Sequence, residues 1–283
     1  MIRKLIKQGG YGLTVYVPQK WVKNNQLKPG DEIEFEEDKD RLIIHIRKKS
    51  KIKKELQIDL KNQVESSIRT ILANTYRSGY DKIKLLNLED KDKKEVLKIV
   101  EKYMLGFEID KNKWEIESIS EPSYENFENL LQRVFYDLSY VVKNFITEDI
   151  EEKVASIQKY DNFLKRAISK NLFNTTNSVF LWQLLSDLNQ ISRLCLHFKS
   201  DLKKLTPIDK EILNKCIEMM DLLVEAYLKK GIEPLKNIHK IDKEILKIKN
   251  KSENHKHINM IARLIYISNS PLMGWIMEEN NIS

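Results

Sequence analysis

The spacing of apolar residues changes along the chain, from every second position near the start to every third or fourth position later. Apolar and basic residues alternate over residues 2–8, and the runs LTVYV, EIEFE and RLIIHIR follow within the first fifty residues. Such alternation is typical of half-buried β-strands. A glycine cluster separates the first two strands, and Pro18 ends the second. Residues Gln19–Asn25 fit a short helix, and Lys28-Pro29-Gly30-Asp31 fits a type II turn.

The middle part, residues 51–120, mixes both periods and predicts a small α/β layer. Gly79 is placed to end its first helix. The predicted elements are a helix over Val64–Tyr76, a strand over Lys82–Leu86, a helix over Asp92–Tyr103 and strands over Phe107–Ile109 and Trp114–Ile119. Four acids could suggest a carboxylate cluster, but they flank a strand and a helix start, where acids favour the helix dipole. These acids are Asp81, Glu89, Asp90 and Asp92.

Residues 121–283 show spacing of three and four over about six segments, which predicts a bundle of long antiparallel helices. Pro271 is expected to kink or end the last helix. Helix starts are indicated at Thr147, Thr175 with Thr176, Thr206 with Pro207, Pro234 and Asn254. Two similarities, YDNFLKRAI with IDKEILKIK and LNQISR with LIYISN, suggest two halves of three helices. The predicted class is α+β, mostly helical, with domains 1–50, 51–120 and 121–283.

The excess positive charge is confined to the start of the chain. The whole sequence has 49 Lys and Arg against 42 Asp and Glu, a formal net charge of +7. Residues 1–54 hold 14 of the basic and 7 of the acidic residues, so this segment carries the whole +7. A basic end on a neutral body indicates a polyanionic partner. A solvated basic tail is the alternative, and the strand pattern beneath the charges argues against it.

The sequence has no pattern typical of an enzyme or a metal centre. It lacks a phosphate-binding glycine loop, a dinucleotide-binding glycine pattern and a nucleophile elbow. Two cysteines, Cys195 and Cys216, and five scattered histidines give no convergent ligand set. We therefore expect no catalytic residues and no cofactor. No apolar run reaches the ~18 residues that span a bilayer, so we expect a cytoplasmic protein without membrane insertion.

The first fifty residues carry an ordered set of features: a glycine turn, a strand ending in Pro18, a short basic helix, Leu-Lys-Pro-Gly-Asp and two closing strands. This set resembles the SpoVT/AbrB-type swapped-hairpin DNA-binding domain, a family that includes MazE-like antitoxin domains. The resemblance implies that two chains interleave their hairpins into one small β-barrel whose basic face meets DNA. Four short strands alone bury little apolar surface, which also favours a second copy as partner.

The resemblance also suggests which residues contact nucleic acid. Arg3 and Lys4 lie where the first strand supplies basic contacts, and Lys20 and Lys23 lie on the short helix after the proline. Thr14 occupies the position before the apolar run of the second strand, where other members have Arg, Ser or Thr. A threonine can hydrogen-bond a phosphate but cannot make the bidentate guanine contact of an arginine. This favours contacts with the DNA backbone over sequence-specific readout.

The helical body resembles PhoU, the phosphate-uptake regulator built as two repeated three-helix bundles. The order of the parts, and the phrase YRSGYDKI, resemble archaeal PhoU-related regulators with an AbrB-type domain. PhoU proteins bind metal clusters through a carboxylate and an Asp four residues later. The matching positions here are not acidic: Asn189, Arg193, Ile265 and Asn269. Asp161 and Asp242 leave one acid per half, a poor cation site, so we expect no metal cluster.

Three functional hypotheses remain from the sequence. The first is a homodimeric DNA-binding transcriptional regulator of phosphate uptake or phosphate homeostasis, dimerised through residues 1–50. The second is a PhoU-type adaptor that docks on a phosphate transporter or sensor protein without binding DNA. The third is an antitoxin-like partner, for which a helical appendage of about 230 residues is poorly suited.

Overall fold

The computed structural model describes residues 3–10, 12–38, 41–46, 53–120, 124–170, 178–249 and 252–282. Backbone contacts divide the chain into two compact units. The N-terminal unit comprises residues 1–52 and the body comprises residues 53–283. The predicted class is confirmed, because the fold is α+β and mostly helical, with a small N-terminal β structure, a four-stranded α/β layer and a helical bundle.

The N-terminal unit has two antiparallel strand pairs joined by one short helix. Gly9 (φ +70°) and Gly30 (φ +92°) adopt the left-handed conformation that the predicted turns require. The N–H of Asp31 donates to the carbonyl of Lys28 at 3.0 Å and closes the Pro-Gly turn. The elements are β1 Ile6–Gln8, β2 Gly12–Thr14, α1 Gln19–Asn24, β3 Ile33–Asp38 and β4 Arg41–Ile46.

The second strand is shorter than its sequence pattern predicted. Pairing between β1 and β2 begins at Ile6 and ends at its partner Thr14, so Val15 and Tyr16 lie beyond the ladder. Both side chains are exposed. Residues 3–5 precede β1 and offer no strand for Val15 and Tyr16 to pair with. A strand is therefore only as long as its partner allows, whatever its own β propensity.

The α/β layer is a mixed sheet in the order β5-β6-β8-β7, in which β5 and β6 are parallel. Its buried centre includes Ile68 and Leu72 of one helix, Val96 and Ile99 of the other, and Ile83 of the sheet. Both helices and three of the four strands were predicted, and the strand β5 was not. The elements are β5 Glu55–Asp59, α2 Glu65–Arg77, β6 Lys82–Leu86, α3 Asp90–Tyr103, β7 Phe107–Asp110 and β8 Glu115–Ser118.

Six helices of the described residues form the bundle around one large apolar core, as predicted. The first three helices pack on each other, as do the last three, and α6 against α9 and α4 against α7 join the two groups. The helices are α4 Tyr124–Asn144, α5 Glu151–Ser169, α6 Ser178–Asp201, α7 Pro207–Lys229, α8 Glu233–Lys247 and α9 His255–Ile282.

The ends of these helices confirm some predicted start signals and correct others. Thr206 and Asp209 form a reciprocal capping box, with Pro207 in the first helical turn. Thr147 does not cap α5, which begins four residues later; Asp149 is nearer and accepts from the Glu151 N–H at 3.0 Å. The predicted start at residues 175–176 lies outside the described residues.

Helix α9 runs past Pro271 and does not end there. A proline in a helix removes the hydrogen bond to the carbonyl four residues earlier. That residue is Ile267, which lies on the exposed side of α9, where water can take the place of the missing donor. Packing of α9 against α6, α7 and α8 holds the helix on both sides of this position.

Candidate nucleic-acid interface

The predicted DNA-contacting residues all lie at the surface of the N-terminal unit. Arg3 and Lys4 precede β1 and are exposed. Thr14 is half-buried at the end of β2, opposite Ile6 in the strand ladder. Arg3 and Lys4 therefore lie three and two residues before Ile6, the residue that pairs with Thr14.

Lys20 and Lys23 are brought together on one exposed face of α1. They are three residues apart, a spacing that places two side chains side by side on a helix. The other face of α1 carries Trp21 and Val22, both half-buried. Hydrogen bonds hold this orientation, with the N–H of Val22 donating to the carbonyl of Pro18 at 3.1 Å. The helix thus points its basic side at solvent because its apolar side faces the unit.

The first thirty residues form a purely basic segment. They contain Arg3, Lys4, Lys7, Lys20, Lys23 and Lys28 and no carboxylate. Acids begin only at Asp31, in the turn that leads to the second strand pair. Without internal counterions, this segment has a positive potential suited to a phosphate backbone.

The same unit leaves much of its apolar surface uncovered. None of its described side chains is buried, whereas Leu13 is 67% exposed and Tyr16 is 69% exposed. The exposed large apolar residues of the unit are Leu5, Ile6, Leu13, Val15, Tyr16, Phe35 and Leu42. Exposed apolar residues of this kind are typical of interaction surfaces.

Comparison with known families identifies this unit. Residues 6–54 match the MazE antitoxin family, described as antidote-toxin recognition MazE, bacterial antitoxin. The N-terminal unit is a MazE/AbrB-type domain. This confirms the resemblance seen in the order of turns and strands, and such a domain suggests DNA binding. The match ends at residue 54, and no curated protein and no solved structure matches the chain.

The body places the four residues at the PhoU-like metal positions in ordinary structural roles. Asn189 is buried and its Nδ2 lies 3.4 Å from Oδ2 of Asp161, while Arg193 is exposed. Ile265 is part of the apolar core, and Asn269 donates from Nδ2 to the carbonyl of Leu235 at 3.1 Å. Among the described residues, no group of three His, Cys, Asp or Glu is placed to hold a metal ion.

The helix-dipole interpretation does not hold for Asp81, which lies directly before β6 and belongs to a buried ion-pair cluster. Asp81 is buried and accepts hydrogen bonds from Nη2 of Arg166 at 2.7 Å, from the N–H of Lys54 at 3.0 Å and from Nζ of Lys170. Burial alone raises the pKa of Asp81. The hydrogen bonds from Lys170 and Lys54, with the charges of Lys170 and Arg166, outweigh it and lower the pKa to about 2. This ion-pair cluster joins β6 of the layer to α5 of the bundle.

A second buried ion-pair cluster joins α2 to the same helix, α5. Nη2 of Arg77 is 3.0 Å from Oδ2 of Asp161, and Nζ of Lys165 is 2.6 Å from Oδ1. Asp161 is fully buried, and burial raises its pKa although both cations oppose the rise. Nε of Arg77 also donates to Oδ1 of Asn162 at 2.8 Å. Asp161 is thus paired with two cations of the chain itself.

No pattern in the sequence marks these ion pairs, because burial of one segment of α5 decides them. All eight residues 161–168 of α5 are buried, including Lys165 and Arg166. A helix segment buried on every side with charges inside must pair those charges. Burial raises the pKa of Cys195 and raises that of Cys216 to about 12, which disfavours the reactive thiolate form of both side chains. Within the described residues, no helix is long and apolar enough to cross a membrane.

Proposed function

We propose that the protein is a homodimeric DNA-binding transcriptional regulator of phosphate uptake or phosphate homeostasis. The observation that carries the proposal is the MazE/AbrB-type domain, whose first thirty residues are basic without a single carboxylate. We assign no catalytic residue, cofactor or metal to it. The proposal has three parts, which are dimerisation, DNA contact and the regulated process.

Dimerisation follows from what the N-terminal unit leaves exposed. Its strand pairs β1–β2 and β3–β4 form two separate sheets, and no described side chain of the unit is buried. A unit of this size rarely forms a stable core alone. A second copy that interleaves its hairpins covers the exposed leucines and aromatic residues without any disulfide or metal, and brings the two basic segments together.

DNA contact is assigned to Arg3, Lys4, Thr14, Lys20 and Lys23 of each protomer. Lysine side chains on one face of a short helix can follow a phosphate backbone, and a threonine hydroxyl can donate to a phosphate oxygen. Binding of this kind releases counterions and weakens steeply with salt. Positioning on the backbone therefore contributes more to affinity than recognition of individual bases.

The regulated process is inferred from the body. Its six helices pack as two groups of three, the arrangement expected from the internal similarities and from the resemblance to PhoU. We infer that this part senses or reports phosphate status to the DNA-binding part. The paired carboxylate of Asp161 indicates that it does so without a metal cluster at that position.

A gel-shift assay with the DNA upstream of the protein's own gene and its neighbours tests DNA binding. The proposal predicts a shifted complex that contains two protomers per site. Transcript levels of phosphate-uptake genes in a deletion strain, at high and low phosphate, test the regulated process. A DNA complex with unchanged phosphate-uptake transcripts would retain the regulator and reject the phosphate assignment.

One observation supports an adaptor as the second candidate. The body has a groove of about 1430 Å³ between α2 and α3 on one side and α5 and α6 on the other, lined by both acidic and basic side chains. A groove of this size can hold a segment of another protein. Recovery of transporter or sensor proteins by the tagged protein, together with no DNA complex, would favour the adaptor. A DNA complex without such partners would favour the regulator.

A further inference from the structure

A second, smaller cavity lies at one end of the bundle. Its volume is about 230 Å³, and it is formed near the starts of α4 and α6 and near the ends of α7 and α9. This is below the roughly 300–1,000 Å³ of pockets that hold drug-sized ligands, and equals the volume of about eight water molecules. The cavity is therefore sized for a small molecule rather than for a peptide or a nucleotide.

The floor of the cavity is aromatic. Tyr227 and Trp275 both line it, with ring centroids 5.7 Å apart and planes inclined by 22°. Phe135 stacks behind Tyr227 at 4.1 Å and holds that ring in place from inside the core. Only 5% of Trp275 is exposed. The rings are thus fixed by packing; Tyr227 is stacked between Phe135 and Trp275, and the electron-rich face that meets a cation is that of Trp275.

The rim of the cavity carries more negative than positive charge. Glu128 and Glu279 line it together with one cation, Lys230. Burial raises the pKa of the Tyr227 hydroxyl, and the carboxylates of Glu128 and Glu279 raise it further. Both carboxylates therefore act on the aromatic floor, and a ligand bound there experiences a negative potential.

The protein already places an ammonium group on this floor. Nζ of Lys230 lies 4.9 Å from the centroid of the Trp275 ring and 2.8 Å from Oε2 of Glu279. Lys230 follows the last residue of α7 and has a left-handed backbone (φ 47°), and its side chain is partly exposed. The lysine thus occupies the position that suits a cation and can leave it for solvent.

We propose that this cavity binds a small organic cation, a primary or quaternary ammonium compound, in place of the Lys230 side chain. The ligand's charged group lies over Trp275 and pairs with Glu279, while its carbon atoms contact Tyr227 and Phe127. An anion is disfavoured by the two carboxylates, and a neutral molecule gains nothing from them. The site lies in the body and does not depend on DNA binding.

Titration of the full-length protein with tetramethylammonium tests the proposal. The chain has four tryptophans, so its indole N–H signals in a nitrogen–proton NMR spectrum are few enough to assign. We expect the Trp275 signal to move saturably at millimolar concentration while Trp114 and Trp182 stay in place. The neutral molecule tert-butanol, of similar shape, and acetate are the comparison probes and should leave all signals unchanged.

Two variants of the partly exposed rim sharpen the test without touching the core. Glu279→Gln should weaken tetramethylammonium binding by about five-fold or more, because it removes one counter-charge. Lys230→Met should tighten it, because it frees the Trp275 face and removes the competing ammonium. Glu225→Gln, at an exposed acid that pairs with Lys229 outside the cavity, is the matched control and should change nothing.

Three results would overturn the proposal. One is the absence of a saturable shift of Trp275 with tetramethylammonium. Another is an equal response to tert-butanol, which would show an apolar cavity without cation preference. The third is weaker binding in Lys230→Met, which would show that the lysine is part of the binding site. Melting curves of each variant show whether the bundle remains folded, and a change in DNA affinity is not required by any of these outcomes.

Discussion

The two units of the chain differ in how far they bury their apolar side chains. The body buries its apolar residues in two cores, one in the α/β layer and one in the bundle. The N-terminal unit has no buried side chain among its described residues and exposes leucines and aromatic residues instead. The difference supports the proposal that a second copy covers the apolar surface of the N-terminal unit.

The charges show the same contrast. The N-terminal unit has 12 Lys and Arg against 7 Asp and Glu, and its first thirty residues contain no acid. The body has 37 Lys and Arg against 35 Asp and Glu and buries several charges as pairs, such as Arg166 with Asp81 and Arg77 with Asp161. These buried pairs serve the structure of the body, whereas the proposed function assigns the cations of the N-terminal segment to a polyanion.

The largest expected effect is the loss of a buried ion pair in the body. Arg166→Ala leaves Asp81 buried beside only one of its two cationic partners and removes donors to the carbonyls of Tyr76 and Tyr80. We expect the free energy of unfolding to fall by about 3–5 kcal/mol. Urea denaturation followed by circular dichroism measures it. Lys229→Ala, at an exposed pair with Glu225, should cost less than about 1 kcal/mol. Equal losses in the two variants would refute the structural role of the buried pair.

Two exposed leucines provide the second test, because they are exposed to similar extents in different units. Leu13 is 67% exposed in β2, and Leu246 is 71% exposed in α8. Leu13→Glu should weaken self-association by about 1.5–3 kcal/mol, the value of burying a leucine, and more where the charge is forced into the interface. Leu246→Glu should change association and stability by less than about 0.5 kcal/mol. Sedimentation equilibrium measures both. A dimer unaffected by Leu13→Glu would show that this surface does not form the interface.

The pH dependence of unfolding is the third test and concerns the body alone. Asp81 has a pKa of about 2 in the fold against an ordinary value of 3.8. A lowered carboxyl pKa stabilises the fold above the unfolded value, and this stabilisation is lost as the pH falls through the folded value. The Asp81 contribution should therefore disappear between about pH 4 and pH 2. Asp81→Asn should be less stable at neutral pH and should lose less further stability over that range than the wild type. Parallel pH curves for the two proteins would contradict this.

The smallest expected effect is on individual phosphate contacts. Lys20→Ala and Lys23→Ala should each reduce DNA affinity by a few-fold and lower the salt slope by about one. Stability of the body should not change, since the two lysines belong to the other unit. Lys240→Ala, at a lysine of the body, is the matched control. Fluorescence anisotropy with labelled duplex measures affinity, and an unchanged affinity in the double variant would place the contact surface elsewhere.

Turns and helix caps that depend on adjacent residues could be predicted from the sequence. Features that depend on residues far away in the chain could not. The turns at Gly9 and Gly30 and the cap at Thr206 depend on a few adjacent residues and were predicted. The strand β5 was missed because ELQID owes its strand conformation to parallel pairing with β6, about 25 residues away. The role of Arg166 was missed for the same reason, since only packing of α5 on the layer decides which charges are buried.

The candidate nucleic-acid interface could be predicted from the sequence only in part, for a further reason. The basic residue types and the domain resemblance identified Arg3, Lys4, Thr14, Lys20 and Lys23, and the structure adds that Lys20 and Lys23 share one exposed face of α1. In the proposed dimer, the way in which the strand residues and the helix residues combine into one surface depends on the second chain. The spacing of residues within one chain cannot show how residues of two chains combine into a surface.

The salt dependence of DNA affinity is the most direct test of the central claim, that the N-terminal domain binds the DNA backbone as a dimer. Arg3, Lys4, Lys20 and Lys23 give four cations per protomer and therefore eight per dimer. The logarithm of affinity should then fall with the logarithm of salt concentration with a slope of about −7 if every cation meets a phosphate. The account predicts a steep slope of this order for the wild type and a shallower one for Lys20→Ala with Lys23→Ala. A flat response, or a slope unchanged by the double substitution, would contradict it.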